Sequence, residues 1–414
     1  MNNMKFKSYP KYKDSRVQWI GKIPEEWEVN KLKHSVYALE KSGLEASEGE
    51  HEGIYPFYTS SQIQRKFIEK ATFNNECLIM GTGGFASVHY FNGKFSVSND
   101  CLVLRKQKVI NMKFLYYQVL NNLQVIDDLG FWGTGLRHLQ KYFFYSMLAY
   151  WPNKPEQIAI AKFLDKKTTE IDELIEKDKK LIELLKEKRT ALINYAVTKG
   201  LDPNVKMKES GIEWIGKIPE GWEVHKIKYN IYEKKVKNIA KNPSTKFIGL
   251  ENIESETGNL ISFSTLEDID GESIKFRENN VLFCKLRPYL AKVIKVDFRG
   301  SCTGELAVYE VGGEINSQFL FYRLLSKSFI DLINSATYGV KMPRVNSTQL
   351  NDIKIAWPSL SEQTAIAKYL DKETAKIDKT IQKIEQKIAL LEEYKKSLIH
   401  HVVTGKIDVR GSEI

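Results

Sequence analysis

Four stretches of the chain carry side chains of a type and spacing suited to holding an anion or a polar edge. Gly81-Thr82-Gly83-Gly84 follows a strand-like run. Glycine there allows a tight turn, or a close approach of backbone to a phosphate or groove edge, with Thr82 and Gly83 as the candidate contacts. Gly130-Phe131-Trp132-Gly133-Thr134-Gly135 precedes Leu136-Arg137-His138, and its counterpart is Tyr338-Gly339-Val340-Lys341-Met342-Pro343-Arg344. A basic residue on a glycine-hinged loop beside an aromatic suits DNA contact, because arginine pairs with guanine edges or with phosphates. Thr134, Arg137, His138, Lys341 and Arg344 are the candidates; the alternative is that each arginine braces its loop. In CKLRPYL, Lys285, Arg287 and Tyr289 alternate. They are expected on one face of a strand or extended segment, as contacts or as a solvated face.

Motifs for catalysis are missing. No Gly-Lys-Ser/Thr follows Gly84, so this is no Walker loop, and no GxGxxG is present. Asn242-Pro243-Ser244 falls short of the Asn-Pro-Pro-aromatic motif of an amino-methyltransferase. There is no HExxH, the seven histidines are scattered, and His400 and His401 read as solvated. Cys77, Cys101, Cys284 and Cys302 have neither disulfide-framework nor CxxC spacing and read as buried free thiols. We therefore assign no catalytic, metal-binding or cofactor-binding residue and expect a binding protein. A self-sufficient methyltransferase or nuclease is disfavoured.

The elements that must position these candidates are written twice. The segment 11–33 contains WIGKIPEEWEV and 206–228 contains WIGKIPEGWEV, an offset of 195. Their tryptophans (Trp19, Trp27, Trp214, Trp222) keep a fixed spacing from Pro24 and Pro219, as expected of packing anchors in a repeated structural clasp. The segments 151–202 and 357–408, offset by 206, open WPNKPEQIAIAKFLD and WPSLSEQTAIAKYLD. Each reads as a helix of about 40 residues. Pro155 with Glu156, and an N-cap Ser361 with Glu362, suit a first turn, and no glycine or proline follows until Gly200 and Gly405.

A 4-3 spacing runs through Ile171, Ile175, Asp178, Ile182, Leu185, Arg189 and Leu192. It recurs at Ile377, Ile381, Ile384, Ile388, Leu391, Lys395 and Leu398. This is a coiled-coil seam in matching register, most simply buried by pairing the two copies, with Asp178 and Arg189 fixing register. Periodicity alone leaves pairing with another chain, and the parallel or antiparallel sense, open.

Between the repeats, strand-like runs at 76–80, 95–97 and 101–104, then 281–283, 291–296 and 306–309, precede helical stretches at 112–120 and 318–325. The fold class is α+β: two mixed α/β domains and two long helices in a pseudo-two-fold repeat. We segment the chain as 1–155, 156–202, 203–361 and 362–408, with a tail 409–414. The 414 residues carry 62 Lys+Arg against 52 Asp+Glu. The surplus of +10 falls mainly as +6 in 1–155 and +3 in 203–361, which suggests an anionic partner. No run of about 18 apolar residues predicts a membrane span, and the polar, lysine-rich N-terminal stretch lacks a secretory signal, so a cytoplasmic protein is expected.

The doubled order of WIGKIPE motif, variable domain, WPxxxEQxAIAxxLD and long helix resembles the DNA specificity subunit of type I restriction–modification systems, over the whole chain. The run LIMGTGGFASVHYFNGKFSVSNDC is similar to a variety of that family's target-recognition domains. The resemblance implies that each variable segment reads one half of a bipartite double-stranded DNA site, and that the helices form an antiparallel coiled coil setting the spacer. It also implies two docked methyltransferase subunits that use S-adenosylmethionine to methylate adenine at N6. Two ATP-dependent motor-nuclease subunits complete the set. Cofactors (S-adenosylmethionine, ATP, Mg) then belong to partners and none to this chain. The rival reading is a coiled-coil scaffold with two protein- or glycan-binding heads.

Overall fold

The structure, a computed structural model, describes residues 7–108, 110–238, 245–265, 273–339 and 341–411. Asn242-Pro243-Ser244 and Val340 lie outside the described residues. The chain divides into two compact units, Met1–Asp178 with Gln386–Ile414, and Lys179–Glu385. This cut crosses the linear segmentation. Each unit takes one variable domain, the first part of one long helix and the last part of the other.

The first unit is built on a six-stranded sheet in the spatial order Val36–Ala38, Cys101–Lys106, Phe73–Gly81, Val88–Val97, Tyr55–Tyr58 and Lys66–Ile68. All neighbours are antiparallel except Tyr55–Tyr58 with Val88–Val97, where Phe57 faces Ser96. Alternation decides its two faces. Leu78, Met80, Leu102 and Leu104 pack with Phe114 and Leu115 of helix α1 (Met112–Asn121). Cys77, Ile79 and Val103 point the other way, onto Tyr58 and Phe95. Asn111 caps α1 by accepting from Phe114 N–H at 2.8 Å. Helix α2 (Leu123–Gly130), a short hairpin and helix α3 (Lys141–Ser146) follow. Strand Leu148–Trp151 then pairs with Glu28–Lys31.

From that strand the chain enters α4 (Lys154–Lys199), 46 residues long, or about 70 Å at 1.5 Å per residue.

The second unit holds a four-stranded sheet, Ile231–Lys234, Leu306–Val311, Val281–Cys284 and Val293–Lys295. Its five-stranded sheet is ordered Lys237–Asn238, Ser273–Phe276, Gly300–Thr303, Lys246–Ile248 and Ser264–Thr265. Helices α5 (Ser317–Leu325), α6 (Lys327–Ser335) and α7 (Ser347–Asp352) lead to strand Lys354–Trp357 and to α8 (Leu360–Val403). The expected strand at 291–296 begins only at Val293, because Ala291 sits at φ +46°.

The repeated motifs interlock, which explains why both recur. In the first unit Trp27 is fully buried and its indole N–H donates to Glu156 Oε1 at 3.0 Å. In the second, Trp222 donates to Glu362 Oε1 at 3.0 Å. The glutamines that follow do matching work. Gln157 accepts from Asn111 N–H (2.8 Å) and donates to the Pro152 carbonyl (2.8 Å); Gln363 accepts from Asn316 N–H (2.9 Å) and donates to the Pro358 carbonyl (2.9 Å).

A glycine closes each clasp. Gly405 (φ +68°) follows the end of α8 so close to Pro24 that a Cβ would collide with it, and Gly200 (φ +79°) lies against Trp222 and Pro219. Glycine is needed at both places for the left-handed backbone. Trp19 departs from the anchor expectation: it is half-exposed and bonds Asn122 Oδ1 at 2.9 Å. The N-cap assignment to Ser361 is also corrected. Ser359 accepts from Glu362 N–H at 3.4 Å, and Asn153 does the same for Glu156 at 3.0 Å, so α8 starts two residues earlier than a cap at Ser361 would give, and α4 one residue before Pro155. His400 is half-buried beside Asn121 (3.2 Å), not solvated, and burial lowers its pKa.

Within each unit the helix segments run antiparallel. In the first, Asp172 pairs with Lys395 (2.6 Å) and Asp178 with Lys387 (2.8 Å), so one helix descends as the other rises. In the second, Arg189 pairs with Asp378 at 3.0 Å, while Ile193 and Val197 share a core with Ile366 and Leu370. The pairs Asp172–Lys395 and Asp378–Arg189 are equivalents under the 206-residue offset. Ile171, Ile175, Ile377, Ile384, Leu391 and Leu398 are buried, and Ile182, Leu185, Leu192, Ile381 and Ile388 half-buried. Arg189 also donates to the carbonyls of Glu256 (3.0 Å) and Thr257 (2.9 Å), so a residue that interrupts the seam ties its helix to the second variable domain.

Candidate nucleic-acid interface

The candidate residues come together in pairs of segments, one pair in each unit. In the first, the turn at the end of Phe73–Gly81 meets the hairpin Phe131–Trp132/His138–Leu139. Leu139 N–H donates to the Thr82 carbonyl (2.9 Å), Gly84 N–H to the Arg137 carbonyl (2.9 Å), and Gly83 pairs with His138. Thr82 is held from behind: its N–H (2.7 Å) and hydroxyl (2.8 Å) both donate to the Asp100 carbonyl.

The second unit repeats this pattern with other side chains. Val345 N–H donates to the Lys285 carbonyl (3.0 Å), Arg287 N–H to the Pro343 carbonyl (2.7 Å), and Leu286 pairs with Arg344. Lys285 N–H donates to the Glu305 carbonyl at 2.9 Å, as Thr82 does to Asp100. Thr82 thus corresponds to Lys285, Gly84 to Arg287 and His138 to Arg344. By position, Arg344 matches His138 and not Arg137.

This overturns the expectation of one strand face for Lys285, Arg287 and Tyr289. The strand stops at Cys284, Arg287 is left-handed at φ +49°, and Pro288–Leu290 is a 3-10 turn. The segment breaks because its backbone must pair with the 338–344 loop instead of with a neighbouring strand. Tyr289 and Arg287 stay exposed and Lys285 half-exposed.

Both arginines of the loops are braced. Arg137 pairs with Asp127 (3.0 Å) and also donates to the Asp127 carbonyl, while Asp127 accepts from Ala86 N–H at 2.6 Å. Its guanidinium lies 5.8 Å from the Phe85 ring and 5.7 Å from that of Phe131. Arg344 pairs with Glu305 at 2.6 Å and is more exposed. Lys285, Arg287 and Lys341 pair with no carboxylate among the described residues, so the second surface presents the freer cations. Thr134 and His138 are exposed. Near the first surface His89 bonds the Ser61 carbonyl, and burial lowers its pKa, which keeps the ring neutral at pH 7. Among the described residues, no group of three His, Cys, Asp or Glu side chains could hold a metal ion. No helix among them is long and apolar enough to cross a membrane.

The family model described as type I restriction modification DNA specificity domain matches residues 24–184 and 219–391. The chain belongs to this family. It carries two of the family's domains and is a non-catalytic DNA-recognition subunit of the type I kind. The EcoDI specificity subunit of Escherichia coli is 24% identical over 405 residues, covering 94% of this chain and 90% of that one. The MjaVIII specificity subunit of Methanocaldococcus jannaschii is 27% identical over 417 residues, covering 94% and 95%.

Among solved structures, a chain from a study of complex assembly and conformational transition of the type I R-M system superposes with a TM-score of 0.67. Its identity is 12%, with 93% of this chain and 99% of that one covered. The HsdS subunit from Thermoanaerobacter tengcongensis superposes with a TM-score of 0.51 at 14% identity, covering 93% and 98%. These two likenesses establish the specificity-subunit fold.

Set on that fold, the candidate interface includes residues that the sequence reading does not name as contacts. Asp127, Glu305 and Asp100 hold the loops, and Trp132, Leu136, Tyr338 and Met342 stand out from them. The sequence reading matches these two loops by their arginines; the 206-residue offset, carried upstream of Trp151, instead aligns Trp132 with Tyr338 and His138 with Arg344, although only one glycine position is shared.

Proposed function

We propose that each recognition domain reads one half of an asymmetric, bipartite DNA site through its paired segments. In the first domain these present Thr82, Gly83, Thr134, Arg137 and His138. In the second they present Lys285, Arg287, Tyr289, Lys341 and Arg344. The paired helices set the number of unspecified base pairs between halves. Two methyltransferase subunits dock on the chain and methylate adenine at N6, and two motor-nuclease subunits complete the restriction assembly. S-adenosylmethionine, ATP and Mg would be held by those partners.

The observation that carries this reading is the repeated hydrogen-bond frame bearing unlike side chains. On this reading a fixed frame would present a donor set in the same way in each half, while Thr82 against Lys285 and His138 against Arg344 would change what is read. The test is to map N6-methyladenine across the source genome with and without the gene. Loss of one bipartite motif with unlike halves supports the proposal. A palindromic motif would exclude two different readers, and an unchanged methylation map would favour a scaffold with protein- or glycan-binding heads.

A further inference from the structure

We propose that each recognition loop ends in an apolar wedge that enters the base stack beside the adenine to be methylated: Trp132 with Leu136 in the first half, and Tyr338 with Met342 in the second. The proposal rests on the reading of duplex DNA as ligand. Its members are 206 residues apart in domains whose sequences otherwise diverge.

All four side chains are held out in solvent: Trp132 is 64% exposed, Leu136 67%, Tyr338 54% and Met342 61%. Apolar groups at equivalent, protruding positions of two unlike domains mark a contact surface better than chance exposure does. The loops also keep them there. Trp132 pairs across its loop with His138, and Tyr338 with Arg344 through two bonds of 3.0 Å. Gly133 (φ +145°) packs so tightly under the Leu136 carbonyl that a Cβ would collide with it. Gly339 (φ +90°) faces the Met342 carbonyl in the equivalent place, more loosely: a Cβ there would sit 3.2 Å from that oxygen. The Trp132 indole N–H donates to the Leu129 carbonyl at 3.3 Å, which fixes the ring while leaving it open.

Phosphate binding requires cations and edge reading requires donors; neither requires an exposed ring and aliphatic chain. Both chemistries are already supplied nearby by Arg287, Lys341, His138 and Thr134. What remains is unstacking. Adenine inside a duplex cannot be methylated at N6 without being extruded, and apolar side chains inserted at a base step offset the lost stacking.

The assembled complex of this chain with its methyltransferase partner tests the wedge, on duplexes carrying the motif mapped from the genome. Trp132→Ser with Leu136→Ser, and separately Tyr338→Ser with Met342→Ser, are compared with wild type. Each is assayed on fully paired DNA and on DNA with an abasic site opposite the target adenine. The expected result is a loss of about tenfold or more in methylation on paired DNA, confined to one half, that largely disappears on the abasic duplex. Trp132→Phe, which keeps an aromatic ring but loses the N–H that holds it, should lose less than the paired serine variant.

Equal losses on both duplexes would overturn the wedge in favour of edge contact. No loss would overturn it outright, and failure of the variants to co-purify with the methyltransferase would reassign the pair to a protein contact. A wild-type complex that binds no duplex at all would instead refute the DNA reading itself.

Discussion

Arg137 and Arg344 do their work partly inside the protein. Arg137 is shared between Asp127 and two aromatic rings, so Arg137→Ala should loosen its loop and weaken recognition of the first half only. Arg344→Ala should do so for the second half, and a variant with unchanged half-site preference would remove these loops from the interface. Lys341 is exposed and has no carboxylate partner among the described residues. If it meets phosphate, Lys341→Ala lowers affinity evenly across sequences and reduces the slope of log affinity against log salt by about 1. The cysteines play a different part. Burial pushes Cys77 and Cys284 up to about 11 and Cys101 and Cys302 up to about 12. They remain thiols at pH 8, so an aromatic disulfide reagent should find none in the folded protein and all four after denaturation. Because their folded pKa values lie above the ordinary 9.0, this contribution to stability is complete below about pH 9 and lost as pH rises toward 12.

At the scale of elements, the clasps are the joints on which recognition domains and helices meet, and they are unequal. Glu156 is buried and accepts from both Trp27 (3.0 Å) and Tyr9 (2.7 Å). Glu362 is half-buried and accepts from Trp222. Removing an acceptor strands its buried donors, at about 1–3 kcal/mol for each. Glu156→Ala should therefore lower the urea midpoint more than Glu362→Ala, and the reverse order would show that the Tyr9 bond contributes nothing. The repeats made the helices and their seam legible, because a 4-3 pattern is local. The CKLRPYL segment was not legible. Its alternation reads as a strand, yet its hydrogen-bond partner is a loop more than 50 residues away, and pairing with that loop forces Arg287 into the left-handed region.

For the whole molecule the proposal is a ruler with two readers. Matched deletion of one heptad from each helix preserves ion pairs of the Asp172–Lys395 kind while removing about 10 Å. The preferred spacer should shorten by about three base pairs, at 3.4 Å per base pair. An unchanged spacer in the methylation map of the variant would end the ruler argument. Deletion from one helix alone should break the register of Asp172–Lys395 and Arg189–Asp378 and cost stability, with no new spacing gained.

The sequence by itself determined the doubled order, the presence and seam of both long helices, the motifs of the clasps and the family. These are recorded in repeats and periodicities a few residues long, where spacing alone carries the physics. Only the tertiary structure decided that the Gly81–Gly84 turn and the 132–138 loop form one surface, and that Lys285 stands where Thr82 does. It also decided that Glu156 belongs to Trp27 and Glu362 to Trp222. Those pairings join residues tens to more than a hundred positions apart. They follow from which buried donors and acceptors must meet once the sheets and helices pack, and no local pattern encodes that.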